Sequence, residues 1–547
     1  MGNQIKQLDA VIVGAGFSGM YMLHMLREKG FTAKVFEAGG SVGGTWYWNR
    51  YPGACCDVPS VYYSFTFSEK LYKNWTWSSK LPYQEEILQY LNYVADSLKV
   101  RDGIQLNTKV TSAVYNEQEN VWNIKTSDGN EVCAKYFITA VGSLSAANTP
   151  SIPGMENFKG ETYHTGHWPH EPVSFKGKKV AVIGTGSSAV QTIPVVAEEA
   201  EKLTVFQRTP SYVLPARNGK YPPGFVEDLK ENFDGLQRQM NESPAGFPVE
   251  SRVLRSALED TPEERYENYK KAWEMGGWAL GGVYYDTTTN DQSNEYASEF
   301  VRNVIRETVT NPKTAEMLCP TIPIWGKRLI LGTNYYETFN RDHVDLVSIK
   351  ETPIVELTEN GIRTSDNFYQ VDAIIFATGY DAMAAPIMKL DVIGRNGLSL
   401  REKWQDGLNV STCLGITNVG FPNMFSVWGP QSPVFANIPK IIEINSEWVM
   451  DLIEYCRTND IDVVETTDTA EAKWMNHINS VAEGTIFMKV DSWYNGANID
   501  GMPKRVLTYL GDVLTYRKQF DDIAENGYRG FTLTGSKPTM TIREEMS

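Results

Sequence analysis

Apolar and polar residues follow a regular pattern at the start of the chain. The apolar run DAVIV at 9–13 leads into GAGFSG at 14–19. A stretch with helical periodicity, MYMLHMLREKG, comes next, and a second apolar segment, TAKVFE, ends at Glu37. This order predicts a strand, a glycine-rich turn, a helix and a second strand, which is the arrangement of a dinucleotide-binding unit.

The glycines of this turn each have a physical role. Gly14 allows the tight turn, Gly16 lets the backbone approach a pyrophosphate, and Gly19 lets the helix pack against the strand. The free N–H groups of the first helical turn favour an anion, and Glu37 stands where a carboxylate accepts ribose hydroxyls. The predicted contacts of the first dinucleotide are Gly14, Gly16, Phe17, Ser18, Gly19 and Glu37.

A second unit of the same kind begins at KKVAVIGTGSSA, residues 178–189. Its helix runs through VQTIPVVAEEA, and its second strand, KLTVFQR, ends at Arg208, where an NAD site has an acidic residue. An arginine there suits the 2′-phosphate of NADPH, and a plain surface arginine is the alternative. The predicted contacts of the second dinucleotide are Gly184, Thr185, Gly186, Ser187, Ser188, Gln191, Arg208 and Thr209.

The rest of the pattern predicts an α/β fold with two Rossmann-like domains and a helical insertion. The insertion is indicated by the capping box at 261–264 and by Tyr266, Tyr269 and Trp273 on one face of the helix that follows, and we expect it to carry no chemistry of its own. A glycine-rich segment around Trp493 is typical of a mobile lid. The expected parts are a first dinucleotide domain at 1–147 and 386–547, a second at 148–215 and 329–385, the insertion at 216–328 and the lid at 488–505.

Composition narrows the function. The net charge of −16 argues against nucleic acid or an anionic membrane surface as partner. No apolar run reaches 18 residues, so we expect no transmembrane helix. Six cysteines without a CxxC motif predict a cytoplasmic protein. Three histidines, His164, His167 and His170, have a spacing that fits no common metal site, so we expect no metal.

Between the two glycine-rich turns stands FKGETYHTGHWP, residues 158–169. The spacing of its Phe, Gly, His, Trp and Pro resembles the signature of the Baeyer–Villiger monooxygenases, and so do GGTWYWNRYPGACCD at 43–57, the pair Lys327-Arg328 and the segment SWYNGAN. The resemblance covers nearly the whole chain and is greatest to the cyclohexanone and phenylacetone monooxygenase branch. The signature residues are Phe158, Gly160, His164, Trp168 and Pro169.

The resemblance implies FAD in the first domain and NADPH in the second. NADPH would reduce the flavin, O2 would give a C4a-peroxyflavin, and this would convert a ketone to an ester or lactone, with sulfoxidation as a side activity. Such chemistry needs a fixed cation near the developing negative charge. By family position this is Arg328, oriented by Asp57, while Lys327 would join Arg208 at the 2′-phosphate. Further implied cofactor contacts are Gly44, Thr45, Trp46, Tyr63, Val110 and Trp493, and His164 would act on conformation.

Other functions compete with this interpretation. An N- or S-oxidising flavin-containing monooxygenase shares both glycine-rich turns, although that family usually has Tyr in place of Trp168-Pro169. A non-catalytic dinucleotide-binding protein is a more remote alternative. We expect a monomer or weak oligomer that acts on a small-molecule ketone and O2, and the sequence does not identify which ketone.

Overall fold

The first and larger sheet combines strands from both ends of the chain. The computed structural model describes residues 6–249, 253, 255–499 and 501–535. Lys6–Val13 lies at the centre of the sheet, where Val11 and Ile12 are fully buried in the cores on its two faces. This explains why the second half of the strand, residues 10–13, is an unbroken apolar run. In spatial order the strands are Asp391–Ile393, Val110–Asn116, Val121–Thr126, Glu131–Thr139, Lys6–Val13, Ala33–Phe36 and Ile104–Gln105, and Met424–Ser426 pairs with Glu131–Thr139.

The second sheet is entirely parallel and contains the second glycine-rich unit. Its central strand, Lys179–Ile183, pairs with Lys202–Gln207 and with Ala373–Phe376. The strand Glu161–His164 from the signature segment forms one edge. In spatial order the strands are Val344–Ser348, Lys202–Gln207, Lys179–Ile183, Ala373–Phe376 and Glu161–His164.

Three small sheets complete the strand structure that the described residues form. Val213–Pro215 pairs in parallel with Ile330–Gly332, at the two ends of the helical segment. An antiparallel sheet consists of Ile354–Thr358, Gly361–Thr364 and Phe368–Gln370. Ile461–Thr466 pairs with Phe531–Gly535 in antiparallel orientation.

The α-helices cover the sheets and fill the segment between them. In the described part of the chain, no helix is long and apolar enough to cross a membrane. The helices are Phe17–Glu28, Thr45–Trp48, Glu69–Lys73, Gln84–Ser97, Ser187–Glu199, Phe225–Glu231, Phe233–Glu242, Pro262–Met275, Asp291–Thr308, Pro312–Leu318, Tyr335–Thr338, Ala385–Met388, Leu400–Lys403, Ile438–Thr458, Asp468–Ala482 and Val513–Glu525.

The helical segment is shared between two hydrophobic cores. Phe233 and Leu236 pack in a core of the first sheet, whereas Tyr269 and Phe300 pack in a core of the second. The capping box at Thr261 forms as predicted. Its helix presents an aromatic face, predicted from the sequence, to Phe300, which contacts Tyr266, Tyr269 and Trp273.

The α/β class with two Rossmann-like units is confirmed. Both predicted glycine-rich turns connect a strand to a helix, at Val13 to Phe17 and at Ile183 to Ser187. The exact domain boundaries stay predictions. The residues outside the described part are 1–5 and 536–547 of the predicted first dinucleotide domain, 250–252 and 254 of the predicted insertion, and 500 of the predicted lid.

Candidate active site

The first glycine-rich turn is compact for steric reasons. Gly14 has a φ of 102°, and a Cβ there would lie 2.6 Å from the carbonyl oxygen of Ala140. A Cβ on Gly19 would lie 1.8 Å from the carbonyl oxygen of Gly14, so only glycine lets the helix pack this closely. Glu37 is buried, and its carboxylate accepts the N–H groups of Ala15 and Gly39, each at 2.7 Å. Burial raises the pKa of Glu37 against the effect of these two hydrogen bonds.

Residues 43–57, the flavin segment, are implied by the family resemblance to contact FAD. They lie directly against this turn. Gly44 has a φ of 52°, and a Cβ there would lie 2.9 Å from the Cα of Gly16. The short helix from Thr45 follows, and the indole N–H of Trp46 donates to the hydroxyl of Tyr63 at 3.0 Å. Burial raises the pKa of Tyr63. Val110 is buried at the start of a strand of the first sheet.

The second glycine-rich turn differs from the first at one informative position. Gly184 has a φ of 112°, and a Cβ there would lie 2.4 Å from the carbonyl oxygen of Ala377. A Cβ on Gly186 would meet no heavy atom within 4 Å outside its immediate chain neighbours in the described structure. Packing within the protein therefore does not explain this glycine, whereas close approach of a ligand does. Thr185 donates to the carbonyl of Thr209 at 3.0 Å, while Ser187 is exposed and Ser188 lies 3.1 Å from the hydroxyl of Thr165.

Two cations lie together at the end of the second unit. Burial lowers the pKa of Lys327, the nearby Arg208 lowers it further, and Asp491 opposes both effects. Arg208 is exposed. Within the described residues neither cation forms an ion pair with a carboxylate. Two cations so placed suit a ligand that carries a compact double negative charge.

Gln191 makes contacts that the sequence did not predict. Its side-chain oxygen accepts the hydroxyl of Tyr51 at 2.9 Å, and its NH2 group donates to the carbonyl of Cys55 at 2.9 Å. Gly53 approaches so closely that a Cβ there would lie 2.4 Å from the carbonyl oxygen of Gln191. Gln191 therefore holds residues 51–55 against the second unit, and its contact with the dinucleotide stays a prediction.

Asp57 and Arg328 meet across 271 residues of sequence. The Nε and Nη2 atoms of Arg328 donate to the same carboxylate oxygen of Asp57, at 3.0 and 2.7 Å, and Nη1 donates to the carbonyl of Val434 at 3.1 Å. Burial opposes the charge of Arg328, but Asp57 and Tyr494 outweigh it and raise the pKa of the guanidinium. Arg328 therefore stays charged at every physiological pH.

An apolar pocket of about 160 Å³ opens beside this ion pair. Trp278 and Trp325 stack in it with ring centroids 6.0 Å apart, and Phe435 lies edge-on to Trp325 at 5.8 Å. Arg328 is the charged group of the lining. The lining residues are Val58, Ala245, Phe247, Val249, Trp278, Gly281, Gly282, Trp325, Arg328, Phe435 and Ala436.

The glycine-rich segment after residue 488 is held in place by Tyr494 and Asn495. Trp493 is partly buried and contacts Tyr494 at 4.5 Å between ring centroids. Tyr494 is buried, packs on Phe435 and lies near Arg328. The fully buried Asn495 donates to the carbonyls of Phe487 and Val490.

The signature segment lies along the edge of the second sheet. Phe158 is buried in a core on one face of that sheet, and Trp168 stacks on Tyr163 at 5.1 Å. A Cβ on Gly160 would lie 2.4 Å from the carbonyl oxygen of Asp372. His164 accepts the N–H of Gly166 through Nδ1 at 2.9 Å, and burial lowers its pKa. Pro169 follows Trp168 and is partly buried.

Comparison with known proteins decides among the candidate families. A family model for flavin-binding monooxygenase-like proteins matches residues 7–235. A Baeyer-Villiger monooxygenase from Pseudooceanicola batsensis is 40% identical over 524 residues, which is 95% of each chain. The chain belongs to the Baeyer–Villiger monooxygenases. It is an NADPH- and O2-dependent flavoprotein monooxygenase, of the class that converts ketones to esters or lactones.

Two further similarities place this Baeyer–Villiger monooxygenase among its relatives. The solved structure of OTEMO in complex with FAD and NADP has a TM-score of 0.92 and 36% identity, and the alignment covers 96% of this chain and 99% of that one. The phenazine N-monooxygenase PhzNO1 of Lysobacter antibioticus is 39% identical over 98% of this chain and 99% of its own.

FAD and NADP are the cofactors of this monooxygenase, and both glycine-rich turns fit a bound pyrophosphate. The helices that begin at Phe17 and Ser187 start after Gly16 and Gly186, and neither has a side-chain cap. Since the first N–H groups of a helix need partners, an anion on these termini satisfies them. FAD supplies the redox and oxygen-binding chemistry when bound, and NADPH supplies the hydride.

Three groups beside the ion pair of this monooxygenase were not predicted from the sequence. They are the indole of Trp278, the carbonyl of Val434 and the phenol of Tyr494. Trp278 belongs to the segment expected to carry no chemistry, yet its indole N–H donates to the backbone carbonyl of Asp57 at 2.5 Å. No local motif marks Trp278 or Val434, and SWYNGAN contains Tyr494 without indicating its partner, because each contact joins parts of the chain far apart in sequence.

Proposed function

We propose that Arg328, held by Asp57, is the cation that stabilises negative charge during oxygen insertion, and that the ketone binds in the apolar pocket beside it. The observation that carries this proposal is the position of a permanently charged guanidinium at an aromatic-lined pocket. Of its five N–H groups, one each on Nε, Nη1 and Nη2 donates to the protein. The guanidinium also interacts with the phenol of Tyr494, and an N–H group beyond these contacts can donate to a ligand oxygen, where a preorganised donor stabilises developing charge.

The pocket lining suggests the class of ketone. Its walls are aromatic and aliphatic, and Arg328 is the charge that they contain. A cationic substrate would meet the like charge of Arg328, and a substrate with several polar groups would lose more hydration there than this one partner restores. The ketone that this pocket favours is therefore an uncharged ring compound, cyclic or aryl, whose carbonyl oxygen faces Arg328.

N-oxidation is a second candidate because a similar protein is named a phenazine N-monooxygenase. A flat aromatic nitrogen heterocycle would suit the same aromatic walls. The two reactions differ in what they require of Arg328, since oxygen transfer to nitrogen creates no oxyanion on a carbonyl carbon.

Product analysis tests the proposed function. The purified yellow protein is supplied with NADPH and with matched panels of cyclic, linear and aryl ketones and of nitrogen heterocycles, and products are identified by gas chromatography. Esters or lactones from ring ketones, formed faster than N-oxides, support the proposal. N-oxides alone, with no ester from any ketone, would overturn it in favour of the second candidate.

Location and assembly are proposed on separate grounds. We place the protein in a reducing cytoplasm, which is supported by six free cysteines. A monomer or weak oligomer is consistent with the net charge of −16, which opposes self-association. Light scattering after gel filtration at several concentrations tests the assembly: a stable dimer at every concentration would contradict it.

A further inference from the structure

Trp278 contacts both members of the central ion pair. Its indole N–H donates to the backbone carbonyl of Asp57, and the guanidinium of Arg328 lies 5.5 Å from the centroid of its ring. A cation at this distance over an indole ring is attracted to the ring electrons. The side chain of Trp278 therefore contacts both the backbone of Asp57 and the guanidinium of Arg328.

The position of Trp278 in the fold adds to these contacts. It packs partly buried between a core of the first sheet and a core of the second. It follows Gly276 and Gly277, which have φ values of 73° and 57°, at the end of the helix Pro262–Met275. The end of this helix and the two glycines with positive φ thus bring the indole to the boundary between the core of the first sheet and the core of the second.

The backbone that carries Asp57 is held from two sides. Gln191, from the second unit, donates to the carbonyl of Cys55, and Trp278, from the helical segment, donates to the carbonyl of Asp57 two residues later. Asp57 in turn receives two N–H groups of Arg328 on one oxygen. A shift of this backbone would therefore move the carboxylate and, with it, the guanidinium.

We propose that Trp278 is a positioning residue, which fixes the Asp57–Arg328 pair through its N–H bond to the Asp57 carbonyl and its ring beneath the guanidinium. The inference rests on the proposed role of Arg328. The three residues involved, Trp278, Asp57 and Arg328, lie outside both glycine-rich turns and outside the signature segment. Trp278 does not act on substrate atoms, and its effect passes through Asp57 and Arg328.

Trp325 provides a matched control within the same stack. It lines the same pocket and lies parallel to Trp278, with an angle of 16° between the rings. Its indole N–H is buried and has no hydrogen-bond partner among the described residues. Trp278→Phe and Trp325→Phe thus make the same chemical change in the same pocket, but only the first removes a hydrogen bond.

The first test measures ester and hydrogen peroxide formed per NADPH consumed. We expect Trp278→Phe to lower the ester-to-peroxide ratio about fivefold, the factor that one neutral hydrogen bond is worth. Trp325→Phe also alters the pocket lining but removes no hydrogen bond, so it should lower the ratio less than Trp278→Phe does. Trp278 also lines the pocket, so any change in KM with ketone size reports on the lining, whereas a loss that passes through Arg328 should appear in kcat at saturating ketone and be equal for small and large ketones. Equal ratios in the two variants would overturn the proposal.

The second test does not depend on turnover. Indole-¹⁵N-labelled protein should show a tryptophan N–H resonance that exchanges slowly with deuterium, that Trp278→Phe removes and that Trp325→Phe retains. If no protected resonance disappears, the hydrogen bond does not exist in solution. Should Trp278→Phe fail to fold, benzothienylalanine at 278, which keeps the ring shape and lacks the N–H group, takes its place in both measurements.

Arg328→Ala is measured in parallel to separate the two proposals. If it still makes ester at the original rate, the role of Arg328 is wrong. If it makes none while Trp278→Phe and Trp325→Phe behave alike, only the role of Trp278 is wrong.

Discussion

At the scale of single residues, the geometry of Arg328 makes its role testable. Both of its contacts with Asp57 converge on one oxygen, so the guanidinium plane is fixed while an N–H group remains for a ligand. Loss of one preorganised donor typically lowers a rate by about 10²–10³. Lysine carries the charge but cannot reproduce three directed contacts.

We therefore expect Arg328→Ala to retain FAD and reduction by NADPH, and to form ester at least about a hundredfold more slowly. Arg328→Lys should recover little of this loss. Oxidation of a thioether to a sulfoxide, which places no charge on a carbonyl oxygen, should fall much less. Chromatography of both products from the same preparation gives the comparison. A parallel fall in sulfoxide and ester would show that Arg328 serves general folding or flavin binding.

Arg208 should determine the choice between the two nicotinamide cofactors. A charge-assisted contact with the 2′-phosphate is worth about 1.5–3 kcal/mol, so Arg208→Ala should raise the KM for NADPH about tenfold or more. The KM for NADH should hardly change. Arg217→Ala, which removes another exposed arginine, is the control. The assignment would be wrong if steady-state kinetics showed equal losses with both cofactors.

The pH dependence of NADPH use should report on Lys327. Burial and the neighbouring Arg208 lower its pKa, so Lys327 loses its charge at a lower pH than a free lysine. The KM for NADPH should therefore rise as the pH increases through this lowered pKa, while the KM for NADH stays flat. Arg208→Ala should move the rise to higher pH, and Lys327→Arg should abolish it because arginine does not titrate there. An unchanged rise in Lys327→Arg would contradict the assignment.

The family resemblance implied both members of the central ion pair, whereas the residue pattern alone predicts only one of them. An acid after an apolar-leaning stretch needs a cationic partner, and the structure supplies Arg328 to Asp57. The contact of Trp278 could not be predicted, since an indole that donates to a backbone carbonyl leaves no mark in residue spacing.

At the scale of elements, the glycine-rich loop after 488 combines a fixed part with an exposed part. Asn495 ties it to the carbonyls of Phe487 and Val490, and Tyr494 inserts into the core beside Phe435. Trp493, with partial exposure, is left at the rim. If the loop closes over nicotinamide, the partly exposed ring of Trp493 can move with it, whereas the buried Tyr494 and Asn495 stay in place.

Trp493→Ala should therefore keep FAD bound but release more hydrogen peroxide per NADPH, because the closed state would exclude water less well. Trp493→Phe should restore most of the coupling. Peroxide and ester are quantified together at saturating ketone. Unchanged coupling in the alanine variant would show that this part of the loop is a passive surface.

Helix prediction succeeded where the signal is local and failed where it is not. The capping box at Thr261 and the aromatic face toward Phe300 both form. The division of the helical segment between two cores was not predicted, because an amphipathic face shows that a helix is buried but not which partner covers it.

At the scale of the whole molecule, directed polar contacts join the two sheets in addition to apolar packing. Tyr51 and Gln191 join the flavin segment to the second unit, and the hydroxyl of Tyr380 donates to Asn49. The sequence predicted two dinucleotide units, since each glycine-rich turn is a local pattern. It did not predict these polar contacts between them.

The two segments by which the chain passes from one sheet to the other, near Asn148 and near Gly379, are hydrogen-bonded to each other. The N–H of Asn148 donates to the carbonyl of Gly379, the N–H of Asp381 donates to the carbonyl of Ala146, and the outgoing and returning chains run antiparallel. His164 lies 3.3 Å from both Asn148 and Thr378. Two antiparallel segments that are hydrogen-bonded to each other bend more easily than they twist or slide, so they can serve as a hinge between the two sheets. We therefore expect the second sheet to rotate relative to the first about a single axis, which passes close to His164.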